Sequence, residues 1–126
     1  MIVLDTSVLI DSLTGAKHSA PALRAWIERG ERMLLPTLVL CEWLRGPRLA
    51  AELAAQEALF PAATAIPFGP DEAALSSQLY RKVSRGRSRE IDLAIAATAM
   101  LRNASLWTLS ADDFRDIPDL QLVRIK

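Results

Sequence analysis

The sequence predicts an α/β fold in which a mainly parallel, five-stranded sheet is covered by helices in a three-layer arrangement. Short apolar runs rich in β-branched residues alternate along the chain with longer segments of helical periodicity, as in strand–helix–strand units. The first run, Ile2–Leu4, is apolar at every position, which is typical of a strand buried on both faces of a parallel sheet. The 126 residues contain no internal repeat or low-complexity tract, so we expect one domain over residues 1–126.

Glycine and proline set most of the element boundaries. The first helix ends near Gly15, and Ser19 with Pro21 suits the start of the next one. Pro67 lies within the third apolar run and indicates an edge strand, because proline cannot donate a ladder hydrogen bond. The predicted strands are residues 2–4, 33–35, 65–68, 106–109 and 120–125. The predicted helices are residues 6–13, 19–30, 37–44, 48–60, 71–83 and 89–102.

Composition and charge exclude several classes of protein. The 15 basic and 15 acidic residues cancel, so no net charge draws the chain to nucleic acid or membrane. The single Cys41, which we expect in the core, excludes an intrachain disulfide. The single His18 excludes a two-histidine nuclease and a multi-histidine zinc site. The sequence shows no secretion leader and no apolar stretch of ~18 residues, so we expect a cytoplasmic protein without a membrane segment.

Three acidic residues occur in apolar surroundings. Asp5 directly follows the first strand, where it either caps the next helix or faces a ligand at the carboxyl edge of the sheet. Glu42 lies in a helix that is apolar on nearly every side, and its alternative role is an ion pair with Arg45. Asp92 shares a helix face with small apolar residues expected to pack on the sheet, and its alternative role is a helix cap.

A fourth acidic position follows the fourth predicted strand, where Asp112 and Asp113 would equally suit an exposed turn. Three or four carboxylates at one sheet edge repel each other and raise each other's pKa unless a cation neutralises them. Mg²⁺ and Mn²⁺ prefer oxygen ligands, leave room for substrate phosphates and activate water for phosphodiester hydrolysis. The acids therefore indicate a hydrolytic site that uses Mg²⁺ or Mn²⁺.

The acidic motifs, taken in order, resemble those of the PIN-domain ribonucleases, and among these the VapC toxins of toxin–antitoxin pairs. The resemblance covers essentially the whole chain, and it depends on the order and spacing of the motifs. These are Asp5-Thr6-Ser7, Glu42 within a helix, Asp92-Leu93-Ala94-Ile95-Ala96-Ala97-Thr98-Ala99 and Thr108-x-Ser110-x-x-Asp113-Phe114. The resemblance implies a five-stranded parallel sheet flanked by helices, a Mg²⁺- or Mn²⁺-dependent endoribonuclease, and a small antitoxin protein as partner.

The resemblance also implies roles for individual residues. Asp5, Glu42 and Asp92 match the family's catalytic acids, and Asp5 and Asp92 are the expected metal ligands. The fourth acid is less regular, because many members carry Asp or Asn where this chain has Ser110. Asp113 is carried over as the fourth catalytic residue. Residues expected to support the site are Thr6, Ser7, Ser110 and Asp112. Ser110 and Asp112 are also alternatives to Asp113 at the fourth position.

A basic segment directly precedes the third acid and is a candidate RNA contact. Its five cations lie within nine residues and suit phosphate oxygens, although the same run also fits a solvated face. The candidate RNA-binding residues are Arg81, Lys82, Arg85, Arg87 and Arg89. Two alternatives to a ribonuclease stay open: a PIN fold that binds RNA without cutting it, and a receiver-like signalling domain.

The predicted helix 48–60 favours self-association. Leu49, Leu53 and Phe60 recur on it at helical spacing, with little chain left to cover them. Large apolar patches are rare on the surfaces of monomers, and two-fold symmetry is the commonest form of association. We therefore expect a homodimer, alone or within a complex with the antitoxin.

Overall fold

A computed structural model describes residues 1–124, in which six α-helices and three short β-strands follow one another. The strands are β1 (Ile2–Leu4), β2 (Met33–Leu34) and β3 (Ser105–Trp107). The helices are α1 (Thr6–Leu13), α2 (Ala20–Glu28), α3 (Thr37–Arg45), α4 (Ala50–Leu59), α5 (Pro70–Lys82) and α6 (Glu90–Leu101). Strand β1 and helix α1 have the predicted bounds, and the other helices agree with prediction to within two residues at each end.

The strands form a parallel sheet in the order β2–β1–β3, so that β1 is central. Val3 of β1 lies opposite Leu34 on one side and Leu106 on the other. All three residues of β1 are buried, as its uninterrupted apolar run predicts. Because the strands are parallel, their carboxyl ends share one edge of the sheet, and the segments beginning at Asp5 and Thr108 leave that edge side by side.

The described sheet is narrower than the five strands predicted. The third and fifth predicted strands each contribute one isolated parallel bridge, Pro36 with Ile66 and Leu106 with Leu122. Prolines at positions 36 and 67 remove backbone donors at the first of these edges, which limits pairing to the two hydrogen bonds made by Ile66. Residue 125 of the fifth predicted strand lies outside the described residues. The parallel α/β fold is confirmed, and the three-layer arrangement stays a prediction.

The middle of helix α6 is buried on every side. Seven consecutive residues, 93–99, are buried, which is the pattern of a helix inside the core. The helix packs against α3, α5 and β3, whereas α1 contacts α2, α3 and α4. Thr98 satisfies its buried hydroxyl by donating to the Ala94 carbonyl at 2.8 Å. The first turn of α6, which carries Asp92, is therefore joined to the centre of the fold.

Two sequence expectations about packing are wrong. Cys41 is exposed, because it lies on the outward face of α3 together with Leu44. Phe60 is only 6% exposed, because it ends α4 with non-helical backbone angles (φ −137°, ψ 78°) and its side chain joins the core. Leu49 and Leu53 do remain exposed, at 69% and 38%. Every helix within residues 1–124 is too short or too polar to span a lipid bilayer.

Candidate active site

Asp5 is held at the carboxyl end of the central strand by backbone and side-chain hydrogen bonds. Its N–H donates to the carbonyl of Trp107 at 2.9 Å, and the residue is 6% exposed. Asp5 occupies the N-cap position of α1, but its carboxylate makes no capping bond. Instead Oδ2 accepts hydrogen bonds from Ser7 Oγ at 3.0 Å and Thr108 Oγ1 at 2.7 Å. The carboxylate is therefore oriented by hydroxyl groups and not used to begin the helix.

The same two hydroxyls join the loops that follow β1 and β3. Ser7 Oγ accepts the N–H of Leu109 at 3.1 Å, and Thr108 Oγ1 accepts the N–H of Ser110 at 3.0 Å. Thr108 is a supporting residue that the predicted site omits, although it belongs to the fourth motif. The signal that identifies it is the pairing of β1 with β3, which brings the residues after each strand together.

Glu42 lies in the second turn of α3, where its two carboxylate oxygens make separate contacts. Oε1 accepts a hydrogen bond from Thr6 Oγ1 at 2.6 Å, which connects α3 to the first residue of α1. Oε2 lies 3.3 Å from the guanidinium of Arg45, whose side chain is largely exposed. Exposed pairs of this kind contribute little stability, typically about 0–1 kcal/mol. The ion pair therefore does not account for a carboxylate at this position.

Asp92 lies in the first turn of α6 and is not its cap, because the N-cap is Arg89. The pKa of Asp92 is raised to about 6, first by burial and then by the negative charges of Asp5, Asp113 and Glu42. Arg89 opposes this shift. The charges of Asp5, Asp113 and Glu42 thus all act on the carboxylate of Asp92.

The three candidates for the fourth position lie in the loop after β3 and have different surroundings. Asp113 ends a 310 turn (Ala111–Asp113) in which its N–H donates to the Ser110 carbonyl at 2.9 Å. Asp112 points away, with a side chain that is 84% exposed and paired with Arg115. Ser110 is exposed, and its backbone carries the contacts described above. Asp113 is the member of this loop whose charge acts on Asp92.

The basic segment contains two kinds of cation. Arg81, Lys82, Arg85 and Arg87 are exposed along the end of α5 and the loop that follows it. Arg89 differs, because its guanidinium is engaged by Asp116 and by backbone carbonyls, and its side chain is only 19% exposed. The structure therefore gives Arg89 internal contacts in place of the predicted RNA contact.

The donor set suits a hard divalent cation in charge and chemistry. The carboxylates supply oxygen ligands, and the charges of three of them act on the half-buried Asp92. Within residues 1–124, no three His, Cys, Asp or Glu side chains are arranged closely enough to hold a metal ion together. The acids thus form an electrostatic cluster and not a ready-made cage of three ligands. Their convergence on a shared metal stays a prediction.

Known proteins resemble this chain over nearly its whole length. The family described as PIN domain matches residues 2–120. Ribonuclease VapC19 of Mycobacterium tuberculosis is 37% identical over 124 residues, covering 96% of this chain and 98% of that protein. DNA-bound VapBC from Salmonella typhimurium gives a TM-score of 0.80 at 22% identity, covering 97% of this chain and 96% of that one. A toxin–antitoxin complex from Klebsiella pneumoniae gives 0.69 at 27% identity, covering 95% of both. The chain therefore belongs to the PIN-domain family and, within it, to the VapC ribonucleases.

Proposed function

We propose that this chain is a toxin ribonuclease that hydrolyses RNA phosphodiester bonds with Mg²⁺ or Mn²⁺. The observation that carries the proposal is the placement of the half-buried Asp92 within reach of the charges of Asp5, Glu42 and Asp113, which together with burial raise its pKa. A cluster of this kind is costly unless it serves a cation. Membership of the VapC ribonucleases supports RNA as the substrate. It also excludes the receiver-like alternative, because that fold belongs to another family.

Asp5 and Asp92 are the residues that would hold the metal. When bound, the ion would supply an activated water and stabilise the leaving oxygen. Ser7 and Thr108 hold one oxygen of Asp5 and so fix the plane of its carboxylate. Thr6, the first residue of α1, donates a hydrogen bond to one oxygen of Glu42 and so orients that carboxylate. These hydroxyls reduce the reorganisation that the acids need when they gather round a charge.

Asp113 is the fourth acid of the proposed site. The negative charge of Asp113 raises the pKa of Asp92, whereas Asp112 is exposed and paired with Arg115. The exposed cations Arg81, Lys82, Arg85 and Arg87 would contact RNA phosphates, since they lie at the end of α5 and on the loop that leads into α6. Such contacts give an affinity that falls with salt.

A small antitoxin protein is the proposed partner, and self-association is proposed through α4. The Klebsiella pneumoniae relative is a toxin–antitoxin complex, and it is 27% identical to this chain. Leu49 and Leu53 provide the exposed apolar surface for the homodimer, to which the buried Phe60 does not contribute. The antitoxin would limit toxicity by restricting access of RNA to the acids.

The test is RNA cleavage by the purified chain with Mg²⁺, with Mn²⁺ and with EDTA, using a labelled single strand and a labelled hairpin. Asp5→Asn and Asp92→Asn should abolish metal-dependent cleavage, because an amide keeps the volume but loses the ligand charge. Asp71→Asn is the matched control, since Asp71 is an exposed acid in the first turn of α5. Cleavage that persists in EDTA or in Asp92→Asn would contradict the proposal.

The second candidate is a PIN fold that binds RNA without cutting it. It is favoured by the open arrangement of the acids within residues 1–124 and by Ser110 at the irregular fourth position. Salt-sensitive RNA binding with no cleavage in either metal would identify this candidate.

A further inference from the structure

Arg89 makes an unusually complete set of contacts for a residue in a basic loop. Its two terminal nitrogens donate to the two carboxylate oxygens of Asp116 at 2.6 and 2.8 Å. Nη2 also donates to the backbone carbonyl of Asp113 at 2.8 Å, and Nη1 to that of Ser84 at 3.1 Å. Bidentate Arg–carboxylate pairs are stronger and more directional than single contacts.

These contacts join the beginning of α6 to the loop that carries the fourth acid. Arg89 is the N-cap of α6, three residues before Asp92, and its carbonyl accepts the N–H of Leu93 at 2.9 Å. The loop itself is attached to the core by Phe114 and Ile117, which are 2% and 4% exposed. Apolar anchors of this kind hold a loop in place but do not fix the direction of its polar groups.

We propose that Arg89 is a positioning residue, which with Asp116 holds the Asp113 backbone so that the carboxylate of Asp113 faces Asp92. This inference rests on the proposed ribonuclease function and identifies the contact that sets the spacing of Asp92 and Asp113. An ordinary surface ion pair would leave both partners exposed, whereas the side chain of Arg89 is 19% exposed. The hydrogen bond from Arg89 also holds the pKa of Asp116 below its ordinary value.

The position of this contact matters because the fourth site is irregular. Ser110 cannot supply a carboxylate, so the loop depends on Asp113, which is exposed. An acid displaced by about 1 Å can lose about 100-fold in rate. The Arg89–Asp116 pair is therefore the contact that determines where this carboxylate lies.

The test compares Arg89→Met, Asp116→Ala and the double variant with the parent. Each single variant should lower kcat for RNA cleavage about 10- to 100-fold, with KM within about twofold. The double variant should be no worse than either single one, because the two side chains act as a unit. Arg89→Lys, which keeps the charge but not the fork, should recover only part of the rate. Arg115→Met is the matched control, because Arg115 is exposed in the same loop and, among residues 1–124, forms its ion pair with Asp112 alone.

Hydrogen exchange of residues 113–117 provides a readout that does not depend on activity. The amides of Phe114 and Ile117 should exchange faster in Asp116→Ala, while the melting temperature stays well above the assay temperature. Parental kcat and parental exchange in either single variant would overturn the inference. If the parent cuts no RNA, the proposed function fails. Unchanged exchange would then reject the positioning role separately, and faster exchange would support it.

Discussion

Replacing Asp92 with asparagine should stabilise the protein when no divalent metal is present. Asp92 is half buried, and burial together with Asp5, Asp113 and Glu42 raises its pKa from 3.8 to about 6. A carboxyl group whose pKa is raised by folding is mostly ionised at pH 7, and its charge then lowers the free energy of unfolding. The asparagine amide has nearly the same volume and carries no charge, so the variant removes that cost without opening a cavity.

The size of the effect follows from the pKa. A pKa raised from 3.8 to about 6 corresponds to about 3 kcal/mol, and solvent screening at a half-buried site reduces this to about 1–2 kcal/mol. For a chain of this length, that range corresponds to an increase in melting temperature of about 4–10 °C. Below the unfolded-state pKa of about 4 the carboxyl is protonated in both states. The advantage of Asp92→Asn should therefore be full above pH 6 and disappear as the pH falls toward 4.

The assay is thermal unfolding of the parent and Asp92→Asn in EDTA between pH 4 and pH 8, with Asp71→Asn as control. Asp71 is exposed in the first turn of α5, so its replacement should change stability by less than about 0.5 kcal/mol. Addition of Mg²⁺ or Mn²⁺ should stabilise the parent more than Asp92→Asn, because the ion binds the folded acids. A variant that is neutral or destabilised at pH 7 in EDTA would refute this reasoning and favour a structural role for Asp92.

Three other features of the structure lead to separate tests. Thr108→Val removes one hydroxyl from Asp5 and should lower kcat about tenfold with little change in melting temperature; an unchanged kcat would exclude a supporting role. Arg85→Gln should weaken RNA binding and reduce the slope of log K against log salt by up to about 0.7; an unchanged slope would remove Arg85 from the interface. Leu49→Asp with Leu53→Asp should yield a monomer by light scattering, and a parent that is already monomeric at tens of micromolar, with and without its partner, would contradict self-association through α4.

The residues at the centre of the fold could be predicted because their sequence pattern is local. The apolar run of β1, the acid that follows it and the helical bounds of α1 all appear in the first 13 residues. Asp92 was recognisable because a charged residue with poor helix propensity interrupts a helix that is otherwise apolar. Such signals need no knowledge of which elements become neighbours.

The remaining features depend on contacts between distant parts of the chain. Thr108 supports Asp5 only because β3 pairs with β1, across 103 positions. Nothing in the basic run distinguishes Arg89 from its neighbours, since its partner Asp116 lies 27 residues away. The predicted third strand is longer than the pairing observed, because apolar content alone does not show how few backbone N–H donors the prolines leave at the sheet edge.

Binding of Mn²⁺ to the metal-free protein, followed by electron paramagnetic resonance, shows directly whether the acids form a metal site. We expect the parent and Asp71→Asn to bind the ion, and Asp5→Asn and Asp92→Asn each to weaken binding by at least about tenfold. Equal affinity in the parent and in Asp92→Asn, or no binding by the parent, would contradict the claim that these acids form a metal site.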